Sequence, residues 1–215
     1  MPLKISPDRL KQIEKAVAEA ENESGAEIVP VFSKQSATYE IALWRGGVLF
    51  AIAAAVIMVM IYLMEDWFLM MPPYFWTLIP MAAGAVGALA ASLIPSLRRT
   101  LIGCDLMAQK VEDKAKVHFY NQNLSMTAQR SGVLLFISFF EKKAVILADI
   151  GLAELVPNEE WQAVVSRLAD GIKRGEIVDS IVEAIRDCGK IIANTGLQKA
   201  EDGGNELSDT VIIES

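Results

Sequence analysis

Three charged residues lie at the ends of strand-like apolar segments, where their side chains could do chemistry together. Glu27 begins the first of these segments, Arg130 precedes the second, and Asp149 ends the third. If the first and third strands meet at one edge of a sheet, oxygens of Glu27 and Asp149 could share Ca²⁺ or another divalent cation. Arg130 could hold a carboxylate or a phosphate with its bidentate guanidinium. Glu27 and Asp149 are therefore candidate metal ligands, and all three residues are candidates for ligand binding.

The same three residues also have a purely structural interpretation. Arg130 and Asp149 could form an ion pair that joins two strands, or Asp149 could cap the turn before Gly151. Two acidic ligands without a further acidic loop would make only a weak calcium site. The sequence favours the structural interpretation but leaves the binding site open.

Recognisable catalytic motifs are missing from the sequence. His118 is the only histidine, which excludes histidine-rich metal sites and phosphatases that use several histidines. Neither Cys104 nor Cys188 has an arginine at the spacing of a Cys-x5-Arg phosphatase loop, because Lys110 and Asn194 stand there. No D-x-D-x-T/V nucleophile, G-x-S-x-G or P-loop motif occurs either. We expect His118 to be a packed or solvated helix residue, and enzymatic activity has little support.

Composition restricts the class of protein. The net charge of −7 argues against a nucleic-acid partner, which would require a basic surface. The two cysteines have neither zinc-site nor disulfide-framework spacing. The hydrophobic fraction of 53% is high for a soluble domain and predicts a membrane part.

Two long apolar segments, 47–64 and 74–97, are each about long enough to cross a hydrocarbon core of roughly 30 Å. They predict a transmembrane helical hairpin over 44–99. The second segment carries small residues at helical spacing, which allow close helix packing. These residues are Gly84, Gly87, Ala88 and Ser92. Their simplest partner is the first span, and a second copy of the chain, giving a homo-oligomer, is left open.

The charges that flank the hairpin predict its orientation. Its connecting turn holds Glu65 and Asp66 and no basic residue, whereas basic residues flank the outer ends. These basic residues are Lys34, Arg45, Arg98 and Arg99. The positive-inside rule therefore predicts two spans in a bacterial cytoplasmic (inner) membrane, with both termini in the cytoplasm.

The segments on either side of the hairpin are predicted to form one domain, from 1–43 and 100–215. Before the hairpin come an amphipathic helix and a strand from Ala26 to Ser33, in which Pro30 predicts an edge position or a bulge. After it come a helix, a β-hairpin with a charged Glu-Lys-Lys turn, two amphipathic helices and a short last strand. This order of elements predicts an α/β fold with a central mixed sheet and helices on both faces.

At this point several blocks of sequence resemble the TPM domain family. They are Thr127 and Arg130 followed by Gly132-Val133-Leu134, then FISFFEKKAVILADIGLAELV, the helix with Trp161, the early SGAEIVPVF and the late GGNELSD. The likeness covers roughly 6–34 and 104–214. The chain departs from the family pattern at Pro30, at Ser131, and in a tail without the expected proline.

The resemblance implies an α/β/α sandwich that lies in or near a membrane. Some plastid members of the family assist photosystem repair, and acid phosphatase activity and calcium binding are known in the family. An animal member is an accessory of a receptor. The expected function is a non-enzymatic accessory that binds another membrane protein and aids assembly or quality control. The alternative is a divalent-metal-dependent acid phosphatase built on Glu27, Arg130 and Asp149.

Overall fold

The structure, a computed structural model, describes residues 6–64, 72–127, 129–196 and 211–214. These residues form two compact units. One, the α/β unit, contains the described residues of 1–36 and 108–215, and the other, the hairpin unit, contains those of 37–107.

The described elements follow each other in the order α1 (Pro7–Ser24), β1 (Ile28–Ser33), α2 (Glu40–Met64), α3 (Phe75–Leu93), α4 (Pro95–Ile102), α5 (Cys104–Asn121), a 3₁₀ turn (Leu124–Met126), β2 (Val133–Ser138), β3 (Lys143–Ala148), α6 (Ile150–Ala153), α7 (Asn158–Arg174), α8 (Ile177–Ala193) and β4 (Ile212–Glu214).

Four strands form one mixed sheet in the order β3-β2-β1-β4. β1 runs parallel to both β2 and β4, while β2 and β3 form the antiparallel hairpin that the sequence predicts. Val133 pairs with Ile28 on one side and Ala148 on the other. The mixed α/β fold and its mixed sheet are therefore confirmed.

The position of Pro30 differs from the sequence-based expectation. β1 lies inside the sheet, so the predicted edge position is wrong for the second half of the strand. β4 pairs only with residues from Val31 onward, and Pro30 lies beside Leu135 of β2. Because proline has no N–H to donate, it is tolerated in the part of β1 that precedes the pairing with β4.

Both faces of the sheet are covered by helices. Successive side chains of β1 and β2 point to opposite faces of the sheet, as the two-residue period of a strand requires. They therefore pack alternately into two hydrophobic cores, one on each face. On one face, Ile28, Phe32 and Leu135 pack with apolar residues of α1, α7 and α8. On the other face, Val31 and Phe136 pack with residues of α5. All six residues of β2 are buried, so β2 is a central strand that is covered on both faces.

Local sequence explains how the helices of the α/β unit begin and end. α1 starts with Pro7 after an extended Ser6 and ends at Gly25, whose φ of 69° favours glycine. Glu21 of α1 accepts a hydrogen bond from Ile28 N at 2.8 Å, which fixes the start of β1. α7 begins with Asn158, and Pro157 is its N-cap.

The hairpin unit contains two helices, α2 and α3, that are long and apolar enough to cross a membrane. Only 6% of the most apolar window of α2 and 11% of that of α3 are buried. A core helix of a soluble protein would be mostly buried, so these helices present apolar surface outward.

Small residues let α2 and α3 approach closely. A Cβ built on Gly87 would lie 2.5 Å from Gly46 O, and one built on Gly84 would lie 3.1 Å from Gly47 O. Ala88 lies beside Gly47. Gly84, Gly87 and Ala88 thus contact α2 of the same hairpin. This agrees with the simpler expectation, in which the partner of the small residues is the first span.

Candidate functional site

The structure brings Glu27, Arg130 and Asp149 to the same end of the strands of the sheet. We call this end the amino edge because β1 and β2 begin there. Glu27 O accepts a hydrogen bond from Val133 N at 2.8 Å, and Gly132 O accepts one from Asp149 N at 2.9 Å. In open α/β sheets, ligands bind outside the carboxyl ends of parallel strands. The three residues therefore lie at the edge opposite to the one that this rule favours.

Gly132 lies between the two acidic residues. Glu27 directly precedes β1 and Asp149 directly follows β3, the strands on either side of β2. With neighbouring strands about 4.8 Å apart, their backbones are roughly 10 Å apart. A Cβ on Gly132 would lie 2.4 Å from Leu124 O, so the 3₁₀ turn packs directly on Gly132. The backbone of Leu124 therefore lies directly beside Gly132, the residue between Glu27 and Asp149 in the sheet.

Asp149 caps the short helix α6. Its Oδ1 accepts a hydrogen bond from Ile150 N at 2.8 Å, and its carbonyl oxygen accepts bonds from Leu152 N and Ala153 N. This is the capping role that the structural interpretation describes. The other carboxylate oxygen, Oδ2, is buried and has no hydrogen-bond partner among the described residues.

Arg130 belongs to a tight loop. Its φ is 50°, its N–H donates to Thr127 O at 3.0 Å, and Ser131 N donates to Thr127 Oγ1. A Cβ on Gly151 would lie 2.7 Å from Arg130 O, so this loop packs against the chain just after Asp149. The Arg130 side chain is exposed, and across the described ranges no ion pair joins it to Asp149.

No metal-binding group is found within the described residues: no three His, Cys, Asp or Glu side chains there could together hold an ion. A cation bound to Glu27 or Asp149 would have to complete its coordination with backbone carbonyls or water.

A second set of polar residues meets at the carboxyl edge, where β1, β2 and β4 end. We call Ser33, Gln35, Lys114, His118 and Glu214 the carboxyl-edge cluster. Lys114 Nζ lies 2.7 Å from Glu214 Oε2 and donates to Ser33 Oγ at 3.1 Å and to Gln35 O at 2.9 Å. One lysine of α5 thus joins the ends of β1 and β4.

His118 belongs to this cluster. Its Nε2 lies 3.3 Å from Glu214 Oε2, and its ring packs on Phe136 with ring centroids 5.6 Å apart. The expectation that His118 packs is correct for the ring, but the contact with Glu214 was not foreseen. The side chain is only 14% exposed, so its contact with Glu214 is largely shielded from solvent.

The turn after β2 carries a buried carboxylate. Glu141, 4% exposed, accepts hydrogen bonds from Ser138 Oγ and from Ser36 N at 2.8 Å. The Glu-Lys-Lys turn was expected to be simply charged. Its glutamate instead ties the end of β2 to the segment that follows β1.

Charges of the carboxyl-edge cluster are paired with one another. Burial would raise the pKa of Glu214, but the hydrogen bond and charge of Lys114, with those of His118, outweigh burial and lower it. The arrangement therefore keeps Glu214 ionised and holds β4 on the sheet. One signal in the sequence could have indicated it: Lys114 and His118 are four residues apart and share a helix face.

Replacing Glu214 with glutamine should make the protein less stable in a pH-dependent way. Because the pKa of Glu214 is lowered on folding, its stabilising effect is present above its usual pKa of 4.5 and disappears as the pH falls through the lower folded value. We expect a loss of about 0.5–1 kcal/mol at pH 7, since solvent screens a side chain that is 39% exposed. Thermal unfolding of the full chain in mild detergent, from pH 7 to pH 3, would measure it.

Glu183→Gln is the matched control, because Glu183 is an exposed carboxylate on α8. It should change stability little at any pH. An equal loss in both variants, or a loss for Glu214→Gln that persists at pH 3, would contradict the role given to Glu214.

Comparisons with known proteins bear on the fold. No protein-family model and no curated protein sequence matches the chain. Its structure is similar to the NMR structure of the BA42 protein from the psychrophilic bacterium Bizionia argentinensis, with a TM-score of 0.60 and 16% sequence identity. The match covers 99% of this chain and 97% of BA42. At this identity the likeness shows a shared fold and nothing about activity.

Proposed function

We propose that this chain is a two-span protein of the bacterial inner membrane with a TPM-type α/β/α sandwich in the cytoplasm. In this proposal the sandwich binds another membrane protein and assists its assembly or quality control. The observation that carries the proposal is the insertion of the hairpin unit into the α/β unit. β1 comes before α2, and its sheet partner β2 comes after α5, so one folded domain is attached to two apolar helices rather than to one terminal anchor.

Charge and surface support the anchored arrangement. α2 and α3 expose apolar side chains along most of their length, which is costly in water but favourable in lipid. Arg45, Arg98 and Arg99 lie at the hairpin ends that adjoin the α/β unit in sequence, as the positive-inside rule requires of a cytoplasmic domain.

The binding role is supported by the chemistry of the α/β unit. At the amino edge, Asp149 caps a helix and Arg130 shapes a loop. At the carboxyl edge, the charges neutralise each other. Both arrangements stabilise a scaffold, and the TPM resemblance of the same segments adds the expectation of an accessory protein.

Cysteine labelling in intact cells tests the orientation. Residues 65–71 lie outside the described residues, and a cysteine at Phe68 should react with an impermeant thiol reagent, whereas one at Gly203 should not. The background must carry Cys104→Ser, because Cys104 is exposed; Cys188 is buried, and burial raises the pKa of its thiol to about 12, so it will not react. Labelling at Gly203 from outside would overturn the orientation.

Affinity capture tests the binding role. The intact, tagged protein in mild detergent should retain one or a few membrane proteins in near-stoichiometric amounts, and each should retain this protein when it is tagged instead. An unrelated two-span protein with the same tag is the control. Recovery of the same proteins by the control, or failure of reciprocal capture, would count against an accessory role.

A divalent-dependent phosphatase is the second candidate, and one observation favours it. The buried Asp149 Oδ2 has no hydrogen-bond partner in the described part of the chain, and a bound cation would satisfy it. This candidate requires the purified protein to hydrolyse a phosphomonoester when Ca²⁺ or Mg²⁺ is supplied. It also requires Asp149→Asn to abolish turnover while leaving the fold intact.

A further inference from the structure

The two outer strands of the sheet differ in how much pairing surface they leave open. β4 is three residues long, so it offers few outward backbone groups. β3 is six residues long and pairs with β2 in an unbroken register. Outer strands of natural proteins are protected by shortness, prolines, bulges or charges along their length. β3 has none of these between its ends, because residues 144–147 are Ala-Val-Ile-Leu.

Every second residue of β3 directs its N–H and C=O away from the sheet. Asp149 N donates to Gly132 O, and residues that bond to the neighbouring strand alternate along an antiparallel pair. The odd-numbered residues of β3 therefore bond to β2, and the even-numbered ones point outward. These outward residues are Ala144, Ile146 and Ala148. None of the three makes another backbone hydrogen bond with a residue that the structure describes.

The outer side of β3 is also accessible. Every residue of β3 is half-buried, whereas every residue of β2 is buried. The apolar side chains of β3 still pack on the two cores, with Ile146 against one and Val145 and Leu147 against the other. The strand is therefore held in place by its own domain while its outward backbone groups are open to a further strand.

We propose that β3 pairs antiparallel with β3 of a second copy of this chain, so that the two sheets become continuous. One register satisfies every outward group: Ile146 pairs with the partner's Ile146 on a two-fold axis, and Ala144 pairs with the partner's Ala148 on either side. Each of these pairs exchanges two hydrogen bonds. Such an interface uses the same surface on both copies and closes at a dimer.

Charge complementarity favours a second copy as the partner. In this register Lys143 lies opposite the partner's Asp149, and the two-fold axis repeats the pair. Directly opposite residues of antiparallel strands share a face, and opposite charges there stabilise the pairing. A parallel pairing in register would instead place the two lysines side by side. The dimer contact uses the α/β unit alone, so it does not rest on the proposed membrane anchoring or binding role.

Disulfide trapping in the full chain tests the register. Two Cα atoms paired on the axis would be about 5.5 Å apart, which a disulfide can span. Ile146→Cys, in a Cys104→Ser background and mild detergent, should therefore give a covalent dimer with a mild oxidant. Ala144→Cys is the matched control, because its two Cα atoms would be about 14 Å apart. It should give roughly a tenth as much covalent dimer or less.

Charge reversal tests the same contact without a new cysteine. Lys143→Glu would place acidic side chains opposite each other in both symmetric pairs, so the dissociation constant of the dimer should rise about tenfold. Lys190→Glu makes the same change at an exposed position of α8 and should leave the dissociation constant unchanged. Sedimentation of the full chain over a dilution series in mild detergent measures both.

Four outcomes would overturn the inference: a wild-type chain that is monomeric at every concentration, no covalent dimer of Ile146→Cys, as much covalent dimer of Ala144→Cys, or equal effects of the two charge reversals. A disulfide of Ile146→Cys with a captured membrane protein alone would assign the edge to that protein and overturn the self-pairing. If this variant does not fold, the charge reversals carry the test. The disulfide should persist in Gly87→Val, and its loss there would place the dimer contact in the hairpin helices instead.

Discussion

Replacing Gly132 with alanine should destabilise the α/β unit by about 3 kcal/mol, at the upper end of the usual cost of overpacking a core. The new Cβ would lie 2.4 Å from Leu124 O and 3.0 Å from Leu124 Cδ2. The first of these is a backbone atom, so a side-chain rotation cannot relieve the clash. Leu124 is fully buried in the core between α5 and the sheet, and moving it would disturb that core. The loss should appear in thermal unfolding of the full chain and in faster proteolysis of the α/β unit.

Gly175→Ala is a suitable control for this change. Gly175 has a φ of 89°, and nothing lies within 4 Å of a Cβ built there, so the substitution costs only backbone strain, about 1–2 kcal/mol. If Gly132→Ala costs no more than Gly175→Ala, the 3₁₀ turn does not pack on Gly132 as described.

Replacing Gly87 with valine should disrupt the packing of α2 on α3 and cost roughly 2–3 kcal/mol. Even the first added carbon would lie 2.5 Å from Gly46 O and 2.6 Å from Phe50 Cβ. The two helices must therefore separate, which also removes the close contact between Gly46 and Ala91. The expected result is a lower unfolding temperature of the hairpin unit in mild detergent, measured on the full chain.

Gly47→Ala is the matched control on the facing helix. Its nearest neighbour, Gly84 O, would be 3.3 Å from the new Cβ, a contact that a small adjustment can relieve. The same experiment tests the homo-oligomer that the sequence leaves open, in which small residues of α3 meet a second copy. If Gly87→Val changes the oligomeric state while the unfolding temperature stays the same, the glycine acts between copies and not within the hairpin.

The sequence predicted most helices and strands correctly because their signals, a hydrophobic period or a Pro or Gly at an end, lie within or beside each element. The uninterrupted apolar residues of β2 indicate a strand that is covered on both faces. Pro7 and Gly25 mark the ends of α1. Three elements were missed. α6 and the 3₁₀ turn are too short to have a hydrophobic period, and the first residues of α4 were assigned to the end of the apolar segment 74–97. Pro30 misled the prediction because β4, which is only three residues long, covers just the part of β1 that follows it.

The candidate sites were harder to predict because they depend on which strands become neighbours. The sequence placed Glu27 and Asp149 at strand ends, and they do share an edge, but it could not reveal that Gly132 lies between their backbones. It also could not reveal the carboxyl-edge cluster, since Ser33 and Glu214 are 181 residues apart in sequence. Contacts between residues so far apart in sequence depend on the tertiary structure. The spacing of residue types along the chain does not predict them.

The position of β1 in the chain has a consequence for the order of synthesis and folding. β1 is made before α2, and both of its partners, β2 and β4, are made after α5. The apolar side chains of β1 therefore cannot be buried in the sheet until the hairpin has left the ribosome. Such long-range pairing is slow and leaves an aggregation-prone segment exposed. In the membrane-anchored arrangement that we propose, insertion of α2 and α3 would precede assembly of the sheet, and the membrane would hold the two halves of the domain near each other while they fold.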